Sequence, residues 1–191
     1  MADSSDSESD EDLARRAADG DRAALERLLA RHLDQIHAVC RRVLGHPEDA
    51  LDATQEALIA ITRGISRFDG RSRFTTWMYR VATNAALDEG RRRRRRPIAS
   101  EHLADISTGA DPTAAVDARL DVDAALATIP ADYRAAVALR DLVGLDYAEI
   151  AGVLDIPIGT VRSRIARGRA TLADRIGNRD DPTERPTPRA P

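Results

Sequence analysis

The stretch that decides the fold is Asp146–Ile165, which reads DYAEIAGVLDIPIGTVRSRI. Asp146 followed three residues later by Glu149 is an acidic form of the capping box, a pattern that marks the start of a helix. The apolar residues that follow at helical spacing are Ile150, Val153 and Leu154. Residues 156–159 (IPIG) then interrupt the helix, and Thr160 is predicted to cap a second one. The sequence therefore predicts a helix-turn-helix.

The second helix of this motif has two faces. Val161, Ile165 and Leu172 are predicted to face inward. The outer face carries Arg162, Ser163, Ala166, Arg167 and Arg169. Arginine bonds guanine edges or phosphate, so this face suits the major groove of DNA. The alternative is a plain helical hairpin with a solvated arginine face. The turn, the caps and the apolar stripe all fit a helix-turn-helix, and a plain hairpin would not need all three.

The charge distribution points to a polyanion as a partner. The chain has 191 residues and a net charge of −3, yet residues 1–12 hold six acids and no base. Residues 67–96 hold ten arginines against three acids, and residues 160–176 hold five arginines against one acid. Two separate basic segments indicate two contacts with a polyanion, although solvated helix faces would show the same counts.

The composition is that of a soluble protein with a small aliphatic core. Hydrophobic residues make up 42% of the chain and charged residues 32%, and there is one cysteine. No apolar run approaches the ~20 residues of a membrane span, and the start of the chain is unlike a signal peptide. A single cysteine excludes an intrachain disulfide framework and suits the cytoplasm. Cys40 falls on an apolar stripe and is predicted to be a core residue.

The pattern along the chain predicts an all-α fold of two small helical domains joined by a flexible acidic linker. The predicted divisions are a disordered acidic head over 1–12, a helical domain over 13–96, a linker over 97–117, a second helical domain over 118–176 and a disordered tail over 177–191. His46–Asp49 (HPED) is predicted to break the first long helix. Ile129–Pro130 is predicted to start a helix in the second domain, because proline is tolerated in a first turn.

A second motif begins at Phe68 and ends in the arginine run 91–96. Aromatic rings interleaved with arginines are typical of proteins that bind single-stranded nucleic acid. The strong alternative is that the apolar residues are buried in the core, because Phe74, Trp77, Met78 and Val81 have the spacing of one helix face. The polar residues left for a ligand are Arg71, Arg73, Arg80, Asn84 and Asp88. Ser72 or Thr75 is predicted to cap this helix.

Three blocks, in this order, resemble the extracytoplasmic-function (ECF) group of bacterial RNA polymerase sigma factors, within the sigma-70 family. Residues 49–56 (DALDATQE) look like the segment that binds core polymerase. Residues 68–92 are similar to the −10 recognition segment, including the run TTWMYR. Residues 129–172 are similar to the −35 domain, including Tyr133–Arg134 and the run GTVRSR.

The resemblance implies two partners, core RNA polymerase and promoter DNA, and an activity as an alternative sigma initiation factor without catalysis or cofactor. The residues implied in binding the β′ clamp helices are Asp49, Asp52, Gln55, Glu56 and Ile59. Those implied in melting and reading the −10 element are Arg67, Phe68, Arg71, Arg73, Arg80, Asn84, Asp88, Arg91 and Arg92. Those implied at the −35 duplex are Thr160, Arg162, Ser163, Arg164, Ala166 and Arg167.

The same resemblance implies docking on the β flap, a linker that threads positive channels of the polymerase, and an anti-sigma factor as a further partner. Two residues depart from the family pattern. Gly168 stands where alanine is common and is predicted to loosen the helix by up to ~1 kcal/mol, and the small Ala166 removes a possible DNA contact. The acidic head is not part of the pattern, and it is either an autoinhibitor that folds back on an arginine segment or solubilising disorder.

The residues give little support to two other classes of protein, an autonomous DNA-binding regulator and an enzyme with a DNA-binding tail. An autonomous helix-turn-helix regulator would not need the first two blocks. An enzyme with a DNA-binding tail would need catalytic residues in 13–95, and none stands out. His32, His37, His46 and His102 have no ligand spacing, so no metal is predicted.

Overall fold

Seven α-helices of eight or more residues, a single helical turn at 124–127 and their connections make up the part of the chain that the structure, a computed structural model, describes: residues 8–95 and 124–177. The helices are α1 (Asp10–Ala18), α2 (Arg22–Leu44), α3 (Ala50–Gly64), α4 (Phe74–Arg95), α5 (Ala131–Asp141), α6 (Tyr147–Leu154) and α7 (Ile158–Gly177). The described residues include no strand, so the predicted all-α class is confirmed. Among these helices, none has the length and apolar character that crossing a membrane requires.

The first unit is a bundle of α1 to α4 around an aliphatic and aromatic core. Leu28, Ile36, Ile61, Phe74 and Met78 are each at most 1% exposed. The predicted break at HPED is confirmed. Gly45 ends α2 in the left-handed conformation (φ 72°), and Pro47–Asp49 forms a 3-10 turn before α3.

Two boundaries in the first unit differ from the sequence prediction. Helix α1 begins at Asp10, inside the segment predicted to be disordered, because the Ser9 side chain accepts a hydrogen bond from the Asp12 N–H at 3.1 Å. A break at Gly20 (φ 98°) separates α1 from α2, and the Asp21 side chain caps α2 by accepting from the Ala24 N–H at 3.1 Å. Residues 1–7 of the predicted head lie outside the described residues.

The described end of the acidic head is bound to α2. Glu8 accepts from Arg16 at 2.7 Å and from Arg27 at 3.0 Å. Asp10 pairs with Arg31 at 2.6 Å and with the buried His32 ring at 2.8 Å. These carboxylates therefore hold α1 against α2 and do not contact either of the two arginine-rich segments.

The second unit is the predicted helix-turn-helix with α5 packed across it. Asp146 Oδ1 accepts from the N–H groups of Ala148 and Glu149, each at 2.8 Å, and Glu149 Oε2 accepts from the Asp146 N–H at 2.9 Å. The capping box is confirmed, as is the helix start after Pro130. The predicted cap at Thr160 is wrong, because α7 begins at Ile158 and the Thr160 N–H already donates to the Pro157 carbonyl at 2.8 Å.

Helix α4 also begins without either predicted cap. Its first residue is Phe74, so Thr75 lies inside the helix and Ser72 lies two residues before it. The Trp77 N–H donates to the Arg73 carbonyl at 3.1 Å. Arg73 therefore occupies the N-cap position of α4, which the sequence analysis had assigned to Ser72 or Thr75.

The two units share one hydrophobic core. Helix α5 packs on α2, and α6 packs on α4. Ala135, Ala138 and Leu139 of α5 belong to the same buried cluster as Val39 and Val43 of α2. The predicted linker, 97–117, lies outside the described residues. The sequence predicted two tethered domains and gave no sign of this contact.

Gly168 lies where α7 crosses α5 at close range. A Cβ atom at this position would lie 2.6 Å from Val137 Cγ2 and 3.5 Å from Tyr133 Cβ. The absence of a side chain at Gly168 lets the two helices approach. This close approach explains a residue that helix propensity alone disfavours.

Replacing Gly168 with alanine is therefore expected to lower the free energy of unfolding by about 1 kcal/mol. Overpacking costs roughly 1–3 kcal/mol, and the gain in helix propensity offsets about 1 kcal/mol of it. Urea unfolding followed by circular dichroism measures the difference. Gly152→Ala in α6 is the control, because nothing lies within 4 Å of a Cβ there and the same change should stabilise. Equal stabilisation by both changes would contradict this explanation of Gly168.

Candidate functional site

The outer face of α7 presents a short row of exposed side chains. Val161 and Ile165 are buried at 0% and 2% exposure, as predicted, and they fix which face turns outward. Arg162, Ser163, Ala166 and Arg167 are all exposed on the opposite side. Ser163 Oγ donates to the Thr160 carbonyl at 2.9 Å, within the helix. The row has the size and polarity of a helix face that enters a major groove.

Several arginines of α7 are held by α5. Arg164 is half-buried and pairs with Asp132 at 3.4 Å. Arg167 Nη1 donates to the Tyr133 hydroxyl at 3.3 Å. Arg169 Nε donates to Asp141 Oδ2 at 3.1 Å. Thr160 is half-buried too. The structure therefore separates Thr160 and Arg164 from the four residues of the outer row.

Tyr147 supports the first arginine of the row. The Arg162 guanidinium carbon lies 5.7 Å from the centre of the Tyr147 ring, and that of Arg140 lies 5.0 Å from it. These distances are typical of cation–π contacts, which orient a guanidinium without neutralising it. Tyr147 thus positions Arg162, a role that the sequence analysis missed.

Helix α4 exposes a polar stripe on the first unit. Arg80, Asn84 and Asp88 follow one another at four-residue spacing, and all three are exposed. Arg91 Nη1 donates to Asp88 Oδ1 at 2.5 Å. Arg92 pairs with the buried Glu89 at 3.3 Å. The stripe mixes donors and acceptors, as reading a base edge requires.

The segment before α4 carries four further predicted DNA contacts, three arginines and Phe68. Arg67, Arg71 and Arg73 are exposed, and Asp69 Oδ1 accepts from the Arg71 N–H at 3.1 Å. Phe68 is half-buried, with its ring centre 6.0 Å from that of Phe74 and 5.7 Å from that of Trp77. The aromatic residues are mainly scaffold, and the arginines form the exposed part of the loop.

Arg93 turns away from this surface towards the start of α3. It pairs with Asp49 and, at 3.3 Å, with Glu48. The hydrogen bond that Arg93 donates to the Asp49 carboxylate raises the pKa of Arg93 above its usual value. Burial and the charge of Arg93 lower the pKa of the neighbouring His46. Asp49 is half-buried in this network, which distinguishes it from the exposed predicted polymerase contacts Asp52, Gln55 and Glu56.

The remaining polymerase contacts lie on the outer face of α3. Asp52, Gln55 and Glu56 are exposed, and Ile59 is half-buried. Leu51 is 69% exposed and lies one turn before Gln55 on the same face. The sequence analysis included Leu51 in the block 49–56 without naming it as a contact, although its position beside three polar residues of the helix was a signal that it faces outward.

The described residues contain neither an exposed cysteine nor a group of side chains that could bind a metal ion. Cys40 is fully buried, and its Sγ donates to the Ala82 carbonyl at 3.7 Å. Burial raises the pKa of the Cys40 thiol to about 11, so the thiol stays protonated near neutral pH. Across 8–95 and 124–177, no group of three or more His, Cys, Asp or Glu residues could hold a metal ion. His102 lies outside these ranges.

Two family models match the chain, one on each unit. Sigma-70 region 2 matches residues 28–96, and Sigma-70, region 4 matches residues 119–172. The first match includes the blocks at 49–56 and 68–92, and the second includes the block at 129–172, so all three blocks named from the sequence lie within these regions. The chain therefore belongs to the sigma-70 family of RNA polymerase sigma factors, and within it to the ECF group to which its relatives belong.

One such relative is the ECF RNA polymerase sigma factor SigM of Mycobacterium tuberculosis, which is 38% identical over 169 residues, 88% of this chain and 85% of SigM. The solved structure of CnrH in complex with the cytosolic domain of CnrY is similar with a TM-score of 0.67 and 28% identity, covering 90% of this chain and 99% of CnrH. The sigma factor RpoE in complex with the anti-sigma factor NepR from Bartonella quintana shares the fold, with a TM-score of 0.66 and 23% identity over 84% of this chain and 98% of RpoE.

Proposed function

We propose that this sigma factor docks on core RNA polymerase through the outer face of α3. Asp52, Gln55 and Glu56 supply exposed acceptors, and the partly exposed Ile59 supplies an apolar edge. We add Leu51 to this set, since a leucine exposed to 69% beside acids fits an interface centre with a polar rim. Asp49 acts through Arg93, which it holds beside α3.

The loop 66–73 and the α4 stripe are proposed to open and read the −10 element. Taking a base out of the stack costs a few kcal/mol, so the protein must offer compensating contacts. Arg67, Arg71 and Arg73 would bind phosphates around the loop, and the partly exposed Phe68 would contact the DNA beside them. Asn84 would bond the base. Arg80, Asp88, Arg91 and Arg92 continue this surface along α4.

The outer row of α7 is proposed to read the −35 duplex. Arg162 and Arg167 would carry most of the base or phosphate contacts, with Ser163 as a smaller polar contact. Ala166 leaves room for the close approach of a base edge. Thr160 and Arg164 would support the row from its side.

One observation carries the whole assignment: three polar surfaces, on α3, α4 and α7, are exposed while the opposite sides of the same helices form the core. The chain would act in the cytoplasm as an initiation factor, with no reaction or cofactor of its own. By analogy with RpoE, we expect an anti-sigma factor as a further partner. The flap contact and the path of the linker follow from the same family resemblance. An autonomous DNA-binding regulator is not favoured, because family models match both units.

The test is transcription in vitro with purified core RNA polymerase on a pool of candidate promoters, with and without the protein. Start sites that appear only with the protein are the expected result, and their upstream sequences give both promoter elements. DNA binding without polymerase, and no new start sites, would favour the autonomous regulator instead.

Asn84→Ala is expected to relax the base preference at one −10 position, because it removes a side chain that can both donate to and accept from a base edge. The loss of discrimination should be about 1–3 kcal/mol at that position. Transcription from promoters carrying each base in turn measures it. Arg80→Ala, one turn away on the same stripe, is the control, and it should weaken all promoters uniformly. An unchanged preference in Asn84→Ala would remove this residue from the reading surface.

A further inference from the structure

Arg134 joins the two units through a buried guanidinium. The residue is 7% exposed. Its three acceptors in its own unit are the carbonyls of Leu126, Ala127 and Ile129, at 3.3, 3.3 and 3.2 Å from Nη1. Across the interface, Nε donates to the Val43 carbonyl at 2.7 Å and Nη2 donates to the Leu44 carbonyl at 2.6 Å.

The carbonyls that Arg134 meets in the first unit are the last ones of α2. The final turn of a helix leaves its carbonyls without partners inside the helix, and the helix dipole makes this end negative. A guanidinium is suited to this place because it offers several donors in one plane and carries the opposite charge. Arg134 thus caps a helix of the other unit.

Gly45 makes this cap possible. A Cβ atom there would lie 2.6 Å from Arg134 Nη1 and 2.7 Å from Cζ, well inside contact distance. Gly45 also has a φ of 72°, which ends α2. Gly45 therefore ends α2 and also leaves the space that the Arg134 guanidinium occupies.

Separation of the units would leave Arg134 largely bonded. Three of its five hydrogen bonds stay within its own unit, and the two that would be lost are those to the Val43 and Leu44 carbonyls. The same separation would expose apolar residues that the units share, such as Val39 and Leu139. Two open grooves, of about 620 and 400 Å³, lie between the first unit and the second, and Arg134 lines the larger one.

We propose that Arg134 is a latch that holds the two promoter-reading units together in the free chain and lets go when they move apart onto polymerase and promoter. The consequence for transcription rests on the proposed function, whereas the latch itself concerns only the free chain. Residues 96–123 between the described parts span at most roughly 95 Å when extended. This reach allows the units to bind separate promoter elements.

The test replaces Gly45 with asparagine in the full chain. Asparagine tolerates the left-handed conformation, so α2 can still end at this residue. Its Cβ displaces the guanidinium from the Val43 and Leu44 carbonyls. Gly144→Asn is the matched control, because Gly144 has a φ of 82° and nothing lies within 4 Å of its Cβ position. Thermal unfolding first establishes that both variants are folded.

Small-angle X-ray scattering of the free proteins is the primary measurement. We expect larger interatomic distances for Gly45→Asn than for the wild type and Gly144→Asn. Superimposable profiles for all three proteins would overturn the latch, and so would a wild type in which the units are already apart.

Titration of the three proteins into core polymerase tests the consequence. Gly45→Asn should reach half-maximal transcription at a roughly threefold to tenfold lower protein concentration than the wild type, because the closed form of the chain competes with its binding to polymerase. If scattering shows separated units in Gly45→Asn but the half-maximal concentration is unchanged, the proposed effect of the latch on transcription is overturned. Open scattering without transcription from any of the three proteins would support the latch and reject the proposed function.

Discussion

Transcription from every promoter of this sigma factor will fall by about a hundredfold when Asp52 and Glu56 are both replaced by arginine. Both side chains are exposed on α3, and neither supports the core. Charge reversal converts attraction for a basic partner into repulsion, which costs several kcal/mol at an interface. Binding of fluorescently labelled protein to core polymerase, followed by titration, measures the change.

The control for this change is the pair Glu26→Arg and Asp34→Arg. Both lie exposed on α2, and the total change in charge is the same. The control pair should bind core polymerase like the wild type. If both pairs weaken binding equally, net charge and not the α3 face determines the affinity.

Replacing Arg162 and Arg167 with alanine will abolish the contribution of the −35 element and leave polymerase binding unchanged. Each well-placed arginine contact to a base is worth about 1–3 kcal/mol. Their joint loss should therefore cost roughly thirtyfold or more in transcription from a promoter with its −35 element intact. The measurement compares that promoter with one whose −35 element is scrambled, on which the variant should lose little.

The matched control removes two exposed arginines elsewhere, by Arg22→Ala and Arg63→Ala. It separates the loss of specific contacts from a general loss of positive charge, which weakens all DNA binding. A fall in polymerase binding by the Arg162 and Arg167 variant would show that the outer row of α7 meets protein and not DNA.

The sequence was sufficient for those features that local chemistry determines. The capping box at Asp146, the helix start after Pro130 and the buried Val161 and Ile165 each follow from a few neighbouring residues, and the structure confirms them. The three contact surfaces were predicted from residue types and family resemblance. Their exposure is consistent with those roles, which remain predictions.

The features that the sequence missed depend on residues far apart in the chain. Arg134 lies 90 positions from Leu44, and its partners are backbone carbonyls that any residue could supply. Gly168 looked like a weakness because its neighbour across the interface, Val137, was unknown. The early start of α1 depended on the Ser9 cap and also on Glu8 and Asp10 finding partners in α2, while acidic composition alone predicted disorder.

The exposed arginines of α4 and α7 have a consequence for how the two DNA surfaces respond to solution conditions. All 29 basic residues of this sequence are arginines. A guanidinium stays charged throughout the physiological range, whereas histidine titrates within it. The positive charge of both surfaces is therefore constant between acid stress and alkaline growth. Ionic strength, which screens that charge and competes for phosphate, becomes the variable that sets their affinity for DNA.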